Sequence, residues 1–174
     1  MLSRRSRSLT LAATLFALTA VVPLYAQQNT TATYGDWVVR CVVQSNNNQQ
    51  QKLCEMDQTT EVQGKNAPLS REAIPRPEKG KPLKFIVQLP VNVWLPPGLR
   101  IQMNDKDPGI AASYTHCVPG GCFAEVELND DTVRKFRSTT TPGRILFKNA
   151  AQRDVVIPLS FNGFGQALDA LSRS

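Results

Sequence analysis

Few residues in this 174-residue chain are of a type that does chemistry, and their spacing narrows the options. His116 is the single histidine. A nucleophilic triad would have to use it, with an acid and a serine or cysteine brought close by folding. Its neighbour Cys117 is expected to be oxidised, and on an alternating strand the two side chains point to opposite faces. A surface or turn-supporting histidine is the plainer expectation. Asp105 and Asp107 resemble a fragment of an oxygen-ligand loop, but calcium takes about six to eight oxygens. Lys106 and Pro108 interrupt the pattern, and turn chemistry accounts equally well for Asn104 through Gly109. Asp130-Asp131 reads as a helix start. Glu125 and Glu127 share a strand face, as paired glycosidase carboxylates can, but no second pair or aromatic platform lies near them in sequence. The expectation is therefore no catalytic residue, no metal and no cofactor.

The four cysteines, Cys41, Cys54, Cys117 and Cys122, are a stronger signal. An even count in an exported chain points to disulfides. Three pairings are open. The local ones, Cys41–Cys54 and Cys117–Cys122, are the most economical, each clamping a hairpin or its loop. Loop-closure entropy puts them at about 3 and about 2 kcal/mol. Zinc prefers tighter Cys-x-x-Cys pairs, and a thioredoxin-like centre needs Cys-x-x-Cys beside a βαβ unit; neither pattern is present. Trp37, Trp94, Tyr34 and Tyr114 could line a sugar or peptide groove, though strand aromatics usually pack in a core. Trp37 fits the core. Trp94 alternates out of phase with Val93 and Leu95, which makes it a candidate partner contact on an outer face.

These residues need a scaffold, and the chain reads as β. Tyr34 to Val43 is a first strand, with Trp37, Val39 and Cys41 on one face. A polar Ser45–Gln51 loop follows, and Leu53 to Val62 returns. Leu83, Phe85, Val87 and Leu89 alternate with period two, and Val91, Val93 and Leu95 continue that alternation past Pro90. Strands are also expected at Leu99–Met103, Ile110–Val118, Cys122–Leu128, Arg144–Asn149 and Asp154–Phe161. Asp130 to Ser138 has a helix cap at Asn129 or Asp130, acids first and bases last. Phe164, Leu168 and Leu171 give a C-terminal helix one apolar face. Short strands between turns, with two small helices, argue for an antiparallel sandwich or barrel.

Residues 63–82 break this pattern. Pro68, Pro75, Pro77 and Pro82 lack the donors a central strand needs, so a Pro-rich loop is expected, with at most a short edge strand near Leu69–Ile74. From 63 to 84 six bases face two acids. Lys79, Lys81 and Lys84 are candidate contacts for an anionic surface, through a salt-sensitive attraction.

The N-terminus sets the compartment. Arg4, Arg5 and Arg7 precede an apolar run from Leu9 to Val22, and Ala26 is the small residue wanted before cleavage. The run is shorter than the roughly 20 residues of a spanning helix. Residues 1–26 are thus expected to be a cleaved signal peptide, with no transmembrane segment left afterwards. A polar tail would cover 27–33 and one domain 34–174. The leader holds three of the 20 basic residues and none of the 14 acidic ones, leaving 17 against 14. That mild excess does not argue for nucleic-acid binding.

Several segments, in order, resemble the invasion-associated locus B family of exported bacterial proteins. They are Gly35-Asp36-Trp37 with Val39 and Cys41; Cys54-Glu55-Met56; Leu95-Pro96-Pro97-Gly98-Leu99; Asp105-Lys106-Asp107 before Gly109; Tyr114 and Cys117, then Gly121-Cys122 and Ala124; and Pro158-Leu159-Ser160, Gly163-Phe164-Gly165 and Ala167-Leu168-Asp169. The resemblance implies an all-β, immunoglobulin-like antiparallel sandwich in the periplasm, secreted or at the cell surface. It implies no enzyme and transfers no catalytic residue. The expected role is a binding module for an unknown protein or an anionic envelope or host surface. The alternatives are a structural envelope component, and a hydrolase or lectin-like protein with an unrecognised site.

Overall fold

The computed structural model describes residues 30–46, 49–61 and 68–174. Ten strands and two helices follow in chain order. The first five strands are β1 (Thr30–Tyr34), β2 (Trp37–Asn46), β3 (Gln49–Glu61), β4 (Pro68–Pro75) and β5 (Leu83–Leu89). Then come β6 (Leu99–Gln102), β7 (Ile110–Val118), β8 (Gly121–Leu128), α1 (Asp130–Ser138), β9 (Gly143–Lys148), β10 (Asp154–Leu159) and α2 (Phe164–Arg173). All pairings are antiparallel, in the order β1-β2-β3-β4-β5-β8-β7-β6-β9-β10. The protein is thus all-β with two short helices, as expected, and the order is compatible with a sandwich. The change of layer happens in β7. Its first residues, Ile110–Ala112, pair with β6, and from Ser113 onward it pairs with β8, with a register shift between Tyr114 and His116.

The period-two pattern builds the core. Trp37, Val39 and Cys41 on β2 are buried, as are Phe85, Val87 and Leu89 on β5 and Ile157 and Leu159 on β10. Phe164, Ala167, Leu168 and Leu171 bury one face of α2. An aromatic cluster ties these layers together: Trp37 meets Phe85 and Phe164 edge-on at 6.5 and 5.4 Å, and Phe136 of α1 meets Phe85, Phe161 and Phe164 at 6.1, 4.7 and 5.5 Å. Such pairs add about 0.5–1.5 kcal/mol each beyond area burial. Helix α1 starts where Asn129 Oδ1 accepts the Thr132 amide at 2.9 Å, with Asp130 and Asp131 in its first turn and Lys135 and Arg137 in its last.

Three expectations need correction. The segment expected as a loop at 63–82 contains β4, which lies inside the sheet between β3 and β5. Pro68 and Pro75 stand at the strand's ends, so their missing donors leave the ladder between them intact. Its inward positions Ser70 and Glu72 are polar, which hid the strand from a hydrophobic pattern. Residues 62–67 lie outside the described part. The tail expected at 27–33 is ordered from Thr30, where β1 pairs with β2. Finally, Val91–Leu95 does not prolong β5: Val93 makes a single bridge to Asn149, while Val91 and Leu95 are exposed. Pro90 and Pro96 bracket this stretch and deny it a ladder on either side. The expected signal peptide falls outside the described residues.

Truncating the fully buried ring, Trp37→Ala, should lower the unfolding free energy by about 3–5 kcal/mol. Asn129→Ala, which removes only a cap, should cost about 1 kcal/mol. Urea unfolding followed by circular dichroism checks both, and a Trp37 variant as stable as the parent would contradict this account of the core.

Candidate functional site

The cysteines pair as the local reading has it. Cys41–Cys54 and Cys117–Cys122 are disulfides, each joining residues directly opposite on neighbouring strands. His116 is exposed and lies flat on Phe123 at 4.8 Å, with Nδ1 2.9 Å from the Thr115 hydroxyl. Among the described residues the only carboxylate linked to that group is Glu125, through Thr115 at 3.3 Å. Glu125 is also bound to Lys84 at 2.9 Å, which lowers the Glu125 pKa and raises that of Lys84. No nucleophile completes a triad around His116 in these contacts. Asp107 does turn chemistry, accepting the amides of Met103 and Gly109 at 2.9 and 3.1 Å. Asp105 is paired with Arg144, and Asp131 with Arg134. Among the described residues no group of three or more His, Cys, Asp or Glu is placed to hold a metal.

The lysines singled out in sequence are not one free cationic loop. Lys84 stands on β5, held by Glu125. Lys81 pairs with Glu78 at 2.5 Å, an exposed contact that lowers the Glu78 pKa. Lys79 is exposed in the turn between β4 and β5.

Trp94 is different. It is 38% exposed, and Val91, Leu95 and Val118 are exposed at 60%, 44% and 45%. The loop carrying the first three is held by its backbone. The Trp94 amide donates to Lys148 O at 2.8 Å, the Ala150 amide to Asn92 O at 3.2 Å, and the Gly98 amide to Leu95 O at 3.0 Å. Such a loop offers apolar side chains with little left to order on binding.

Sequence patterning missed a buried carboxylate. Glu72 is fully buried on the inner face of β4, and among the described residues neither of its oxygens has a hydrogen-bond partner. Burial pushes its carboxyl up to about 7; the nearby Ser70 hydroxyl and the Glu72 amide pull it down in part, and the Asp57 charge adds a smaller push upward. The Ser70 hydroxyl and the Tyr114 hydroxyl are likewise buried without partners. Burial raises the Tyr114 phenol to about 12.

The motif pieces far apart in sequence meet in space. Trp37 Nε1 donates to Ser160 O at 3.0 Å, and Ser160 Oγ donates to Asp36 Oδ2 at 2.6 Å. The Asp36 amide donates to Asn162 O at 3.1 Å. Gly163 has φ 82°, and a Cβ there would lie 1.9 Å from Tyr34 O, so only glycine fits. Arg137 donates to Gly165 O at 3.2 Å and to Asp169 at 2.7 Å, holding that carboxyl below its ordinary range. A family model described as Invasion associated locus B (IalB) protein matches residues 37–172. The chain belongs to this family.

Two curated IalB relatives, both described as invasion protein B homologs, come from Brucella abortus strain 2308 and Brucella abortus biovar 1 strain 9-941. Each is 26% identical over 139 residues, covering 80% of this chain and 77% of the relative. The crystal structure of invasion associated protein B from Bartonella henselae superposes with a TM-score of 0.68 at 21% identity, covering 82% of this chain and 94% of that one. That likeness shows the fold. In this IalB protein the quoted motifs are largely fold-making. Among the described residues no helix is long and apolar enough to cross a membrane.

Replacing Cys41 and Cys54 together by serine should lower stability by about 3 kcal/mol, and replacing Cys117 and Cys122 by about 2 kcal/mol. Denaturant midpoints measure both. Non-reducing peptide maps should recover only these two linked pairs, and a Cys41 peptide joined to Cys117 or Cys122 would refute the pairing.

Proposed function

We propose that this IalB protein is an exported, non-catalytic binding module that contacts a partner protein through the loop bearing Val91, Trp94 and Leu95. The observation carrying this reading is an exposed tryptophan on a loop fixed by backbone hydrogen bonds at both sides. Exposed apolar side chains clustered on rigid backbone mark contact surfaces more often than scattered ones do. Tryptophan is also the residue type most enriched among those that dominate binding energy. The leader-like N-terminus and the two disulfides support a place outside the cytoplasm. The relatives carry the name invasion protein B homolog, and association with host-cell invasion comes to this chain as part of the proposal.

Trp94→Ala should lower the unfolding midpoint less than Trp37→Ala does, because the Trp94 ring is partly solvated and the Trp37 ring is not. It should weaken retention of the purified protein on envelope extracts or cultured host cells by about tenfold or more. Unchanged retention on both would remove the loop from the account. Replacing Lys79, Lys81 and Lys84 with glutamine tests the anionic-surface reading separately. If retention on anionic liposomes or heparin falls with salt and is lost in that variant, the contact lies on the basic segment instead.

A further inference from the structure

Glu72 occupies the middle of the shortest seam on its side of the sheet. Strand β4 meets β5 through only three residue pairs, Arg71–Gln88, Glu72–Val87 and Ala73–Ile86. It meets β3 through seven, and β5 meets β8 through seven. The Glu72 carboxyl is on the inner face with no hydrogen bond to either oxygen, and the Ser70 hydroxyl two residues before it on the same face is also unpartnered. Across the sheet the same row runs from Gln58 through Glu72, Val87 and Ala124 to Tyr114, whose buried hydroxyl is free.

Among the described residues no cation answers this carboxyl. From β3, Gln58 faces it, but its side-chain amide is spent on Ser160. Also on β3, Asp57 lies on the opposite face with Arg40 and Arg71, Glu55 is held by Arg71, and Glu61 is at the exposed end. On β4, Arg71 points away from Glu72 toward those two acids. From β5, the residue directly opposite is Val87, and Lys84 is bound to Glu125. An ionised carboxylate in such a place loses hydration that the neighbouring Ser70 hydroxyl and the Glu72 amide offset only in part, so the neutral acid is the form that fits.

We propose that Glu72 is a proton-operated latch on the β4–β5 seam: protonated, it lets β4 close against β5, and ionised, it loosens that seam. The sign follows from the carboxyl's rise from 4.5 to about 7 on burial. Below 4.5 both folded and open forms are protonated and the seam is at its firmest. Between 4.5 and about 7 the open form loses its proton first, and opening gains with each step in pH. Above about 7 the loosening is complete. A protein outside the cytoplasm meets the pH of its surroundings, so mildly acidic and neutral media would meet two different states of β4 and of the turn at residues 76–82. The latch does not depend on Trp94 or on any partner.

Hydrogen exchange of the purified full chain at pH 5 and pH 8, corrected for intrinsic rates, tests the latch. The β4 and β5 amides that bridge the seam should open roughly 50-fold more at pH 8, since each unit of pKa shift is a factor of ten. Amides of α2 should change little, and Glu72→Gln should abolish the difference. Equal seam protection at both values, or a difference that survives Glu72→Gln, overturns the latch. If that variant does not fold, carbon-detected NMR titration of the parent's Glu72 carboxyl decides. An inflection near neutrality supports the proposal, and one in the ordinary carboxylate range refutes it.

Discussion

One backbone carbonyl holds the two ends of this fold together. Ser160 O, just past β10, accepts both the Trp37 indole N–H at 3.0 Å and the Gln58 side-chain amide at 2.9 Å, while the Ser160 amide donates back to Gln58 Oε1 at 3.0 Å. Residues at the beginning and end of the chain are thereby joined by side chains where no strand ladder joins them. A buried backbone carbonyl and amide without partners would each be costly, so Trp37 and Gln58 act as substitutes for a missing neighbouring strand. Trp37 does double duty, since its ring also fills the space between Phe85 and Phe164. The Gly35 and Gly163 turns must then approach to near contact, which explains why glycine stands at both.

Those interactions explain which parts of the structure were legible beforehand. Strands β2 and β5 announce themselves because every inward residue is apolar, and α1 because its cap and its charge order agree with the helix dipole. Strand β4 was hidden for the opposite reason. Two of its three inward positions are Ser70 and Glu72, with only Ile74 apolar, and its prolines look like breakers until their placement at the strand's ends is known. The 91–95 stretch misled in the other direction: its valines keep the alternation of β5, but flanking prolines leave it one bridge. Period is a statement about side chains, and a ladder also needs donors.

The candidate site was legible only in part. The disulfide partners follow from spacing, and Trp94 was marked by its phase. Glu72 was invisible, because nothing in the sequence distinguishes a buried glutamate from the exposed ones around it. The motifs that carry the family likeness, Gly35-Asp36-Trp37 and Pro158-Leu159-Ser160 above all, converge on the closure at Ser160. They identify how the chain folds. What differs between relatives in partner or setting is then expected on the loops and at polar inward positions such as those of β4, where the closure makes no demand.

The two disulfides join cysteines in the order in which they occur, first to second and third to fourth, each within a hairpin. A chain that crosses a membrane N-terminus first delivers its cysteines to an oxidising compartment in that same order. An oxidase that simply links each new thiol to the one before it therefore writes the native pairs. Pairs in this order are the ones that sequential oxidation produces without reshuffling.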